Sequence, residues 1–204
     1  MENPILNPQE MQKNLLCKCW SCKACSLYKE RKQPVISRGN PLSKILLLGE
    51  GPGLTEDENG IPFTGKAGQL MDDLFQQVGI NTNDLYVCNC IKCHPPGNRT
   101  PTQQEVSACR QYLEVQIETI DPQLFIAVGK PATQVLLGTP IQAMKDWAGK
   151  LTYTNNLFGA KPLLIFYHPA AALHEQKFGK TFYRDSIIAH LKQHASLIIK
   201  TLSS

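Results

Sequence analysis

Residues 44–53 read KILLLGEGPG, an apolar run that ends in a glycine-rich loop. Four consecutive aliphatic residues, Ile45–Leu48, are typical of a strand that is buried on both faces, as in a parallel sheet. Similar short apolar runs recur along the chain and alternate with segments of helical periodicity. This alternation predicts an α/β fold with three layers, α/β/α, in which helices cover both faces of a central four-stranded parallel sheet.

Hydrophobic spacing and helix-start signals locate the individual elements. Thr102, with Glu105 three residues later, forms a capping box that begins one of the helices. The predicted strands are Lys44–Gly49, Leu85–Ile91, Leu124–Val128 and Leu163–Tyr167. The predicted helices are Gly65–Val78, Thr102–Ile120, Lys130–Leu137 and Tyr183–Lys200, after a short helix and loop in the first 40 residues.

Length, composition and charge limit the class of protein. The chain has 204 residues, 42% of them hydrophobic, which suits a single domain over residues 1–204 with residues 1–40 packed on it. Its apolar runs are strand-sized and its start lacks a basic stretch followed by an apolar one, so we expect a cytoplasmic monomer without membrane segments. The net charge of +4 permits contact with nucleic acid without demanding it.

The glycine-rich loop resembles two phosphate-binding patterns, and neither fits. A dinucleotide site needs a helix directly after its glycines, whereas Pro52 removes an N–H here and the sequence indicates no helix for about a dozen residues. Residues 60–66, GIPFTGK, have P-loop spacing, but Ala67 stands where the magnesium-binding hydroxyl is needed. Since ligands of parallel sheets bind beyond the carboxyl ends of the strands, we expect the site at Glu50, Asn89 and His168.

Three separated blocks carry a family resemblance. Residues 49–72, GEGPGLTEDENGIPFTGKAGQLMD, resemble the first motif of the type-4 uracil-DNA glycosylases, close to GEAPG-x-x-E-D-x-x-G-x-PF-x-G-x-AG, with Gly51 where alanine is usual. Residues 86–109 resemble that family's asparagine strand with its cysteine-rich continuation, and residues 168–176, HPAAALHEQ, resemble its HPS/HPA loop. The resemblance covers roughly Cys22–Leu191. It implies a uracil-DNA glycosylase-like fold and a loop that holds a flipped base.

The resemblance implies a monofunctional DNA repair glycosylase. Such an enzyme flips deoxyuridine out of single- or double-stranded DNA, hydrolyses its N-glycosidic bond, and leaves free uracil and an abasic site. In this interpretation Phe63 stacks on the base, and the carboxamide of Asn89 meets uracil N3–H and O4. His168 donates to O2 as charge collects on the departing base, and Glu50 stabilises the cationic sugar. Residues Gly51 and Glu56 complete the substrate-binding set, Glu56 on the C5 side.

Contacts with the rest of the DNA are predicted from basic and apolar side chains. Leu173 is the candidate wedge that fills the emptied base stack, next to His174 where the family often has arginine. The predicted phosphate contacts are Lys66 and Arg99, with Lys92 and Lys130 as further candidates. Asp57 is predicted to be solvated or to cap the loop.

Eight cysteines in a reducing compartment favour metal binding or buried thiols over disulfides. The resemblance implies that Cys22, Cys25, Cys93 and Cys109 bind a [4Fe–4S] cluster. The residues alone leave zinc open, because C-x-x-C pairs beginning at Cys19 and Cys90 also form a zinc-ribbon pattern. We expect Cys88 and Cys90 to be core thiols and Cys17 and Cys19 to take no part. A non-catalytic cluster-bearing DNA-binding module and a zinc adaptor remain the alternative hypotheses.

Overall fold

A computed structural model describes residues 7–204, so the first six residues of the predicted N-terminal segment lie outside the described part. The described chain has a mixed α/β fold with a six-stranded sheet and seven α-helices. The strands are β1 Ser37–Gly39, β2 Ile45–Gly49, β3 Tyr86–Asn89, β4 Leu124–Val128, β5 Leu151–Tyr153 and β6 Pro162–Phe166. The helices are α1 Pro8–Ser21, α2 Leu54–Asn59, α3 Lys66–Gln76, α4 Gln103–Ile120, α5 Lys130–Leu137, α6 Pro169–Gln176 and α7 Phe182–Leu202.

The sheet has the strand order β1-β3-β2-β4-β6-β5. The four inner strands are parallel and correspond to the four predicted from the sequence. The prediction of a purely parallel four-stranded sheet is wrong, because β1 and β5 add antiparallel edges. Each edge strand has three residues and none of them is fully buried, so neither produces the continuous apolar run that marks the inner strands.

Alternating residues of the inner strands point to two separate cores. In β2, Leu46 and Leu48 pack in the core that contains residues of α1, α4 and α5. Ile45 and Leu47 pack on the other side, with residues of α3 and α7. Every residue of β2 is buried, as expected for a parallel strand covered by helices on both faces. The helices therefore form a layer on each side of the sheet.

Two short helices that the sequence did not predict stand at the carboxyl ends of the strands. Helix α2 begins directly after Gly53, so the expectation of no helix for about a dozen residues is wrong. Its sequence, LTEDEN, is one and a half turns long and has no apolar periodicity to reveal it. Helix α6 begins at Pro169, where the fixed backbone of proline suits the first helical position. Among the helices of residues 7–204, none combines the length and apolarity needed to cross a membrane.

Candidate active site and cysteine pocket

A cleft of about 520 Å³ brings together residues that follow β2, β3 and β6. All six residues predicted to bind substrate line this cleft. They are Glu50, Gly51, Glu56, Phe63, Asn89 and His168. The position agrees with the general rule that parallel sheets bind ligands beyond their carboxyl ends.

The floor of the cleft is formed where β2 and β3 end side by side. Gly49 pairs with Asn89 across the two parallel strands. A Cβ on Gly49 would lie 2.4 Å from the Asn89 side-chain oxygen and 2.3 Å from the Phe63 ring. The missing side chain of Gly49 therefore allows the Asn89 amide and the Phe63 ring to meet over the strand end. Asn89 is 2% exposed, so its amide faces the cleft from a largely desolvated position.

Phe63 is held in an unusual backbone conformation. Its φ of 57° lies in the left-handed region, where a residue with a side chain carries a cost of about 1–3 kcal/mol. Gly68 packs directly against this backbone, and a Cβ on Gly68 would lie 2.0 Å from the Phe63 carbonyl oxygen. Close packing of the first turns of α3 thus fixes the peptide that aims the Phe63 ring into the cleft.

His168 follows β6 and is the N-cap residue of α6. Its Nδ1 accepts a hydrogen bond from the Ala170 backbone N–H at 3.2 Å. This bond puts the proton of the neutral ring on Nε2, which is left as the donor. Burial lowers the pKa of His168 to about 4, against a smaller opposing influence of the Glu56 carboxylate. The ring is therefore a neutral hydrogen-bond donor at neutral pH.

Glu50 stands at the start of the glycine-rich loop, beside Asn89 and His168 in the cleft lining. Burial raises the pKa of its carboxyl, and a hydrogen bond with the Thr100 side chain works in the opposite direction. A carboxylate with a raised pKa accepts a proton more readily than an exposed one. Thr100 also lines the cleft. Sequence reasoning missed it, although it lies inside the second resembling block, next to Arg99.

Glu56 resolves the question of whether the loop binds phosphate. Its two carboxylate oxygens accept hydrogen bonds from the backbone N–H groups of Gly53, at 3.1 Å, and Gly65, at 2.8 Å. These donors stand at the N-termini of α2 and α3, where a bound phosphate would otherwise be expected. The protein's own carboxylate takes the anion position at both helix ends. These backbone donors are therefore occupied by Glu56 and are not free to bind a phosphate.

Charged residues around the cleft differ in their availability to DNA. Lys66 is exposed at the cleft, at the start of α3. Arg99 also lines the cleft, and both its terminal nitrogens donate to Glu105, at 2.7 and 2.8 Å.

The expectation that Lys92 contacts DNA is wrong, because it is 1% exposed. Of the two alternatives predicted for Asp57, solvation is wrong because the residue is buried, and its carboxylate accepts from the Lys32 backbone N–H.

The apolar wedge candidate lies away from the cleft lining. Leu173 is half-buried on α6, and Ala170 in the first turn of that helix does reach the cleft. His174 beside it is exposed and packs against the ring of Phe178. Lys130 is exposed, and its ammonium donates to the Gln142 carbonyl oxygen at 3.0 Å. Which of these side chains contacts DNA stays a prediction.

A second, smaller pocket gathers five cysteines. They are Cys19, Cys22, Cys25, Cys93 and Cys109. The pocket thus joins the end of α1, the segment after it, the segment after β3 and helix α4. Cys19, which is predicted to take no part in ligation, lines the pocket as well. Cys88 and Cys90 lie in the buried core, which confirms that part of the prediction, and Cys17 is exposed.

The described lining of this pocket contains cysteines but no carboxylate or imidazole. Its sulfurs are met by hydrogen-bond donors: Arg31 Nη1 lies 3.1 Å from Cys93 Sγ, and the Lys92 backbone N–H lies 3.3 Å from Cys109 Sγ. Such donors are typical of iron–sulfur sites. Within residues 7–204, no three Cys, His, Asp or Glu side chains are grouped so as to hold one metal ion. The sequence gives no signal for Arg31, because it stands among other basic residues in the stretch KERK, residues 29–32.

Comparisons with known proteins agree with this site. The family model of the uracil DNA glycosylase superfamily matches residues 36–192. The type-4 uracil-DNA glycosylase of Saccharolobus solfataricus is 39% identical over 170 residues, covering 80% of this chain and 78% of that protein. The type-4 enzyme of Thermotoga maritima is 38% identical over 153 residues, covering 74% and 78%. A type-5 uracil-DNA glycosylase of Thermus thermophilus is 32% identical over 120 residues, covering 52% and 54%.

The first block that carries the resemblance supplies Glu50, Glu56 and Phe63 to the cleft, and the other two supply Asn89 and His168. The chain belongs to the uracil DNA glycosylase superfamily and, within it, to the type-4 uracil-DNA glycosylases.

Proposed function

We propose that the protein removes uracil from DNA by hydrolysing the N-glycosidic bond of deoxyuridine. The observation that carries this proposal is the meeting of Phe63, Asn89 and His168 in one cleft with the carboxylate of Glu50. A base that is stacked in a duplex cannot reach such a cleft, so the nucleotide is flipped into it. Phe63 supplies the apolar face for the ring, and Asn89 pairs with N3–H and O4. Cytosine presents the opposite donor and acceptor pattern at these positions.

The bond that breaks joins the sugar C1′ to uracil N1. Its electron pair leaves with uracil, and the neutral His168 donates from Nε2 to O2, where the negative charge collects. Glu50 faces the cationic sugar and orients the water whose oxygen bonds to C1′. That water keeps one hydrogen in the new C1′ hydroxyl and releases its other proton, and the uracil anion takes up a proton to become neutral uracil. The products are free uracil and an abasic site, with no lyase step.

The cysteine pocket supports a [4Fe–4S] cluster held by Cys22, Cys25, Cys93 and Cys109. An all-thiol donor set with hydrogen bonds to two of the sulfurs fits this group. When bound, the cluster supplies a covalent link between segments far apart in sequence. It lies outside the base-binding cleft, so no chemical step depends on it.

The decisive experiment offers the purified protein an oligonucleotide with one uracil, and the same strand with thymine. We expect chromatography to detect free uracil and alkali to cleave the uracil strand alone. Without alkali the strand should stay whole, as a monofunctional enzyme requires. A uracil strand that survives both treatments, while a control glycosylase cuts it, would refute the proposed function.

A further inference from the structure

Lys92 is a buried cation without an acidic partner. It is 1% exposed, whereas lysine is almost never fully buried unless it is paired. In the described chain, no carboxylate lies within ion-pair distance of its ammonium. The ammonium donates instead to two neutral oxygens, the Asn89 carbonyl at 2.7 Å and Gln116 Oε1 at 2.5 Å. These bonds use two of its three donors and leave its charge uncompensated.

Cysteine thiols surround this charge. Lys92 lines the cysteine pocket together with Cys19 and Cys109. The Lys92 backbone N–H also lies 3.3 Å from Cys109 Sγ. The described lining of the pocket contains no carboxylate, so its cysteines are the groups that can supply a negative charge beside the ammonium. Thiols become thiolates when they bind a metal, so a loaded pocket supplies the missing negative charge.

The same lysine reaches the base-reading end of β3. Its ammonium holds the carbonyl of Asn89, the residue whose side chain faces the cleft. Gln116, its second partner, continues the network to the Tyr86 hydroxyl at 2.8 Å and the Ile36 carbonyl at 3.2 Å. One network of buried hydrogen bonds thus joins the strand end, helix α4 and the N-terminal segment.

We infer that Lys92 is a positioning residue that couples the cysteine pocket to the base-reading strand. Its charge compensates the anionic cluster. Its hydrogen bond to the Asn89 carbonyl fixes the backbone of that residue, and its second bond, to Gln116, holds the ammonium in place. This inference rests on the proposed cluster and glycosylase activity. It also explains why a lysine occupies a position from which it cannot reach DNA.

The first experiment tests whether the charge of Lys92 compensates the cluster. It measures the reduction potential of the cluster in the purified iron-loaded protein by EPR-monitored titration. A nearby positive charge stabilises the reduced state, so Lys92→Met should have a lower potential than the wild type. Gln116→Glu should also lower it, because a carboxylate neutralises the ammonium while leaving the lysine in place. Lys23→Met is the matched control, since Lys23 is exposed between Cys22 and Cys25 and is screened by water.

The positioning role is tested by steady-state excision of uracil. Lys92→Met should lower kcat about tenfold, the effect of one lost buried hydrogen bond, and leave the KM for DNA unchanged. Gln116→Met keeps the charge, so it should lower kcat but not the potential.

Several outcomes would overturn the inference. Potentials of Lys92→Met and Gln116→Glu that match that of Lys23→Met would refute charge compensation. If Lys92→Met fails to hold iron, Gln116→Glu alone decides this point. An unchanged kcat in both Lys92→Met and Gln116→Met would refute positioning, and a wild-type protein without iron would refute the whole inference. Failure of the glycosylase proposal is distinguishable, because it would leave the potentials measurable.

Discussion

The rings of Phe63 and His168 face each other across the cleft, with centroids 6.3 Å apart and planes inclined by 28°. Phe63 comes from the segment between α2 and α3 and His168 from the segment directly after β6, so the pair bridges two distant parts of the chain. A separation near the upper limit for an aromatic pair shows that neither ring is covered by the other. Both residues line the cleft, Phe63 with only 6% of its surface exposed.

Replacing Phe63 should separate its stacking role from its backbone strain. Phe63→Ala and Phe63→Gly both remove the ring, so each should lose about 10–100-fold in uracil excision, the usual worth of one stacked base. Glycine adopts the positive φ of 57° freely, whereas alanine does not. We therefore expect Phe63→Gly to be more stable than Phe63→Ala by about 1 kcal/mol in urea unfolding. Equal stability would show that the backbone relaxes.

The pH dependence of excision should reflect the low pKa of His168. Because burial lowers that pKa to about 4, the ring stays neutral from pH 8 down to about pH 5, and its contribution to the rate should be flat there. The same shift means that the folded state resists protonation. The free energy that neutral His168 contributes to folding is complete above the ordinary pKa of 6.5. It is lost as the pH falls from there towards 4.

Single-turnover rates of the wild type and His168→Asn, with unfolding curves across this range, test both effects. His168→Asn should excise slowly and should lose less stability on acidification. A wild-type rate that falls with a midpoint near pH 6.5, and does so only when His168 is present, would contradict the neutral-donor role.

Asn89→Ala should reduce excision by about two to four orders of magnitude, because the flipped uracil then lacks two buried hydrogen bonds. The fold and the iron content should persist, since the side chain faces the cleft. Asn98→Ala is the matched control: Asn98 also lines the cleft but is exposed and bonded to His94. Near-normal excision by Asn89→Ala would show that the Asn89 side chain does not read the base.

Glu56→Gln should destabilise the protein by about 1–3 kcal/mol, since an amide can accept from only one of the two backbone N–H groups now bound. Glu58→Gln, which removes an exposed ion pair with Lys32, should change stability much less, because water screens the pair. Urea unfolding measures both. Equal effects would mean that the Glu56 carboxylate does not hold the loop.

Cys109→Ala should lower the iron content and the melting temperature together, because metal ligation ties α4 to the N-terminal segment. The exposed Cys17→Ala should leave both unchanged. Iron analysis and thermal unfolding of the wild-type protein and the two variants provide the comparison. A wild-type protein that binds zinc and no iron would contradict the expected cluster.

The inner strands were predictable because burial on both faces leaves an unbroken apolar run, such as Ile45–Leu48. The strand ends in turn predicted where Asn89 and His168 would meet. Their roles, however, come from the family resemblance, since a lone asparagine or histidine carries no such information. Edge strands of three residues leave too little pattern to detect.

The sequence predicts charged side chains least well where their hydrogen-bond partners are backbone groups or residues far away in the sequence. Lys92 was assigned to DNA because lysine is normally exposed, and only the folded chain reveals its partner Gln116. The Glu56 carboxylate bonds to Gly65, nine positions away, which no local pattern indicates. Asp57 likewise bonds to the backbone of Lys32.

The bare strand end at Gly49 has a practical consequence. Its backbone would accept any residue, because its φ is not in the left-handed region, yet even one methyl group would occupy the space shared by the Phe63 ring and the Asn89 amide. Gly49→Ala would therefore plug the recess from within while leaving the outer surface and its charges as they are. Such a variant offers a way to measure binding to DNA separately from capture of the base.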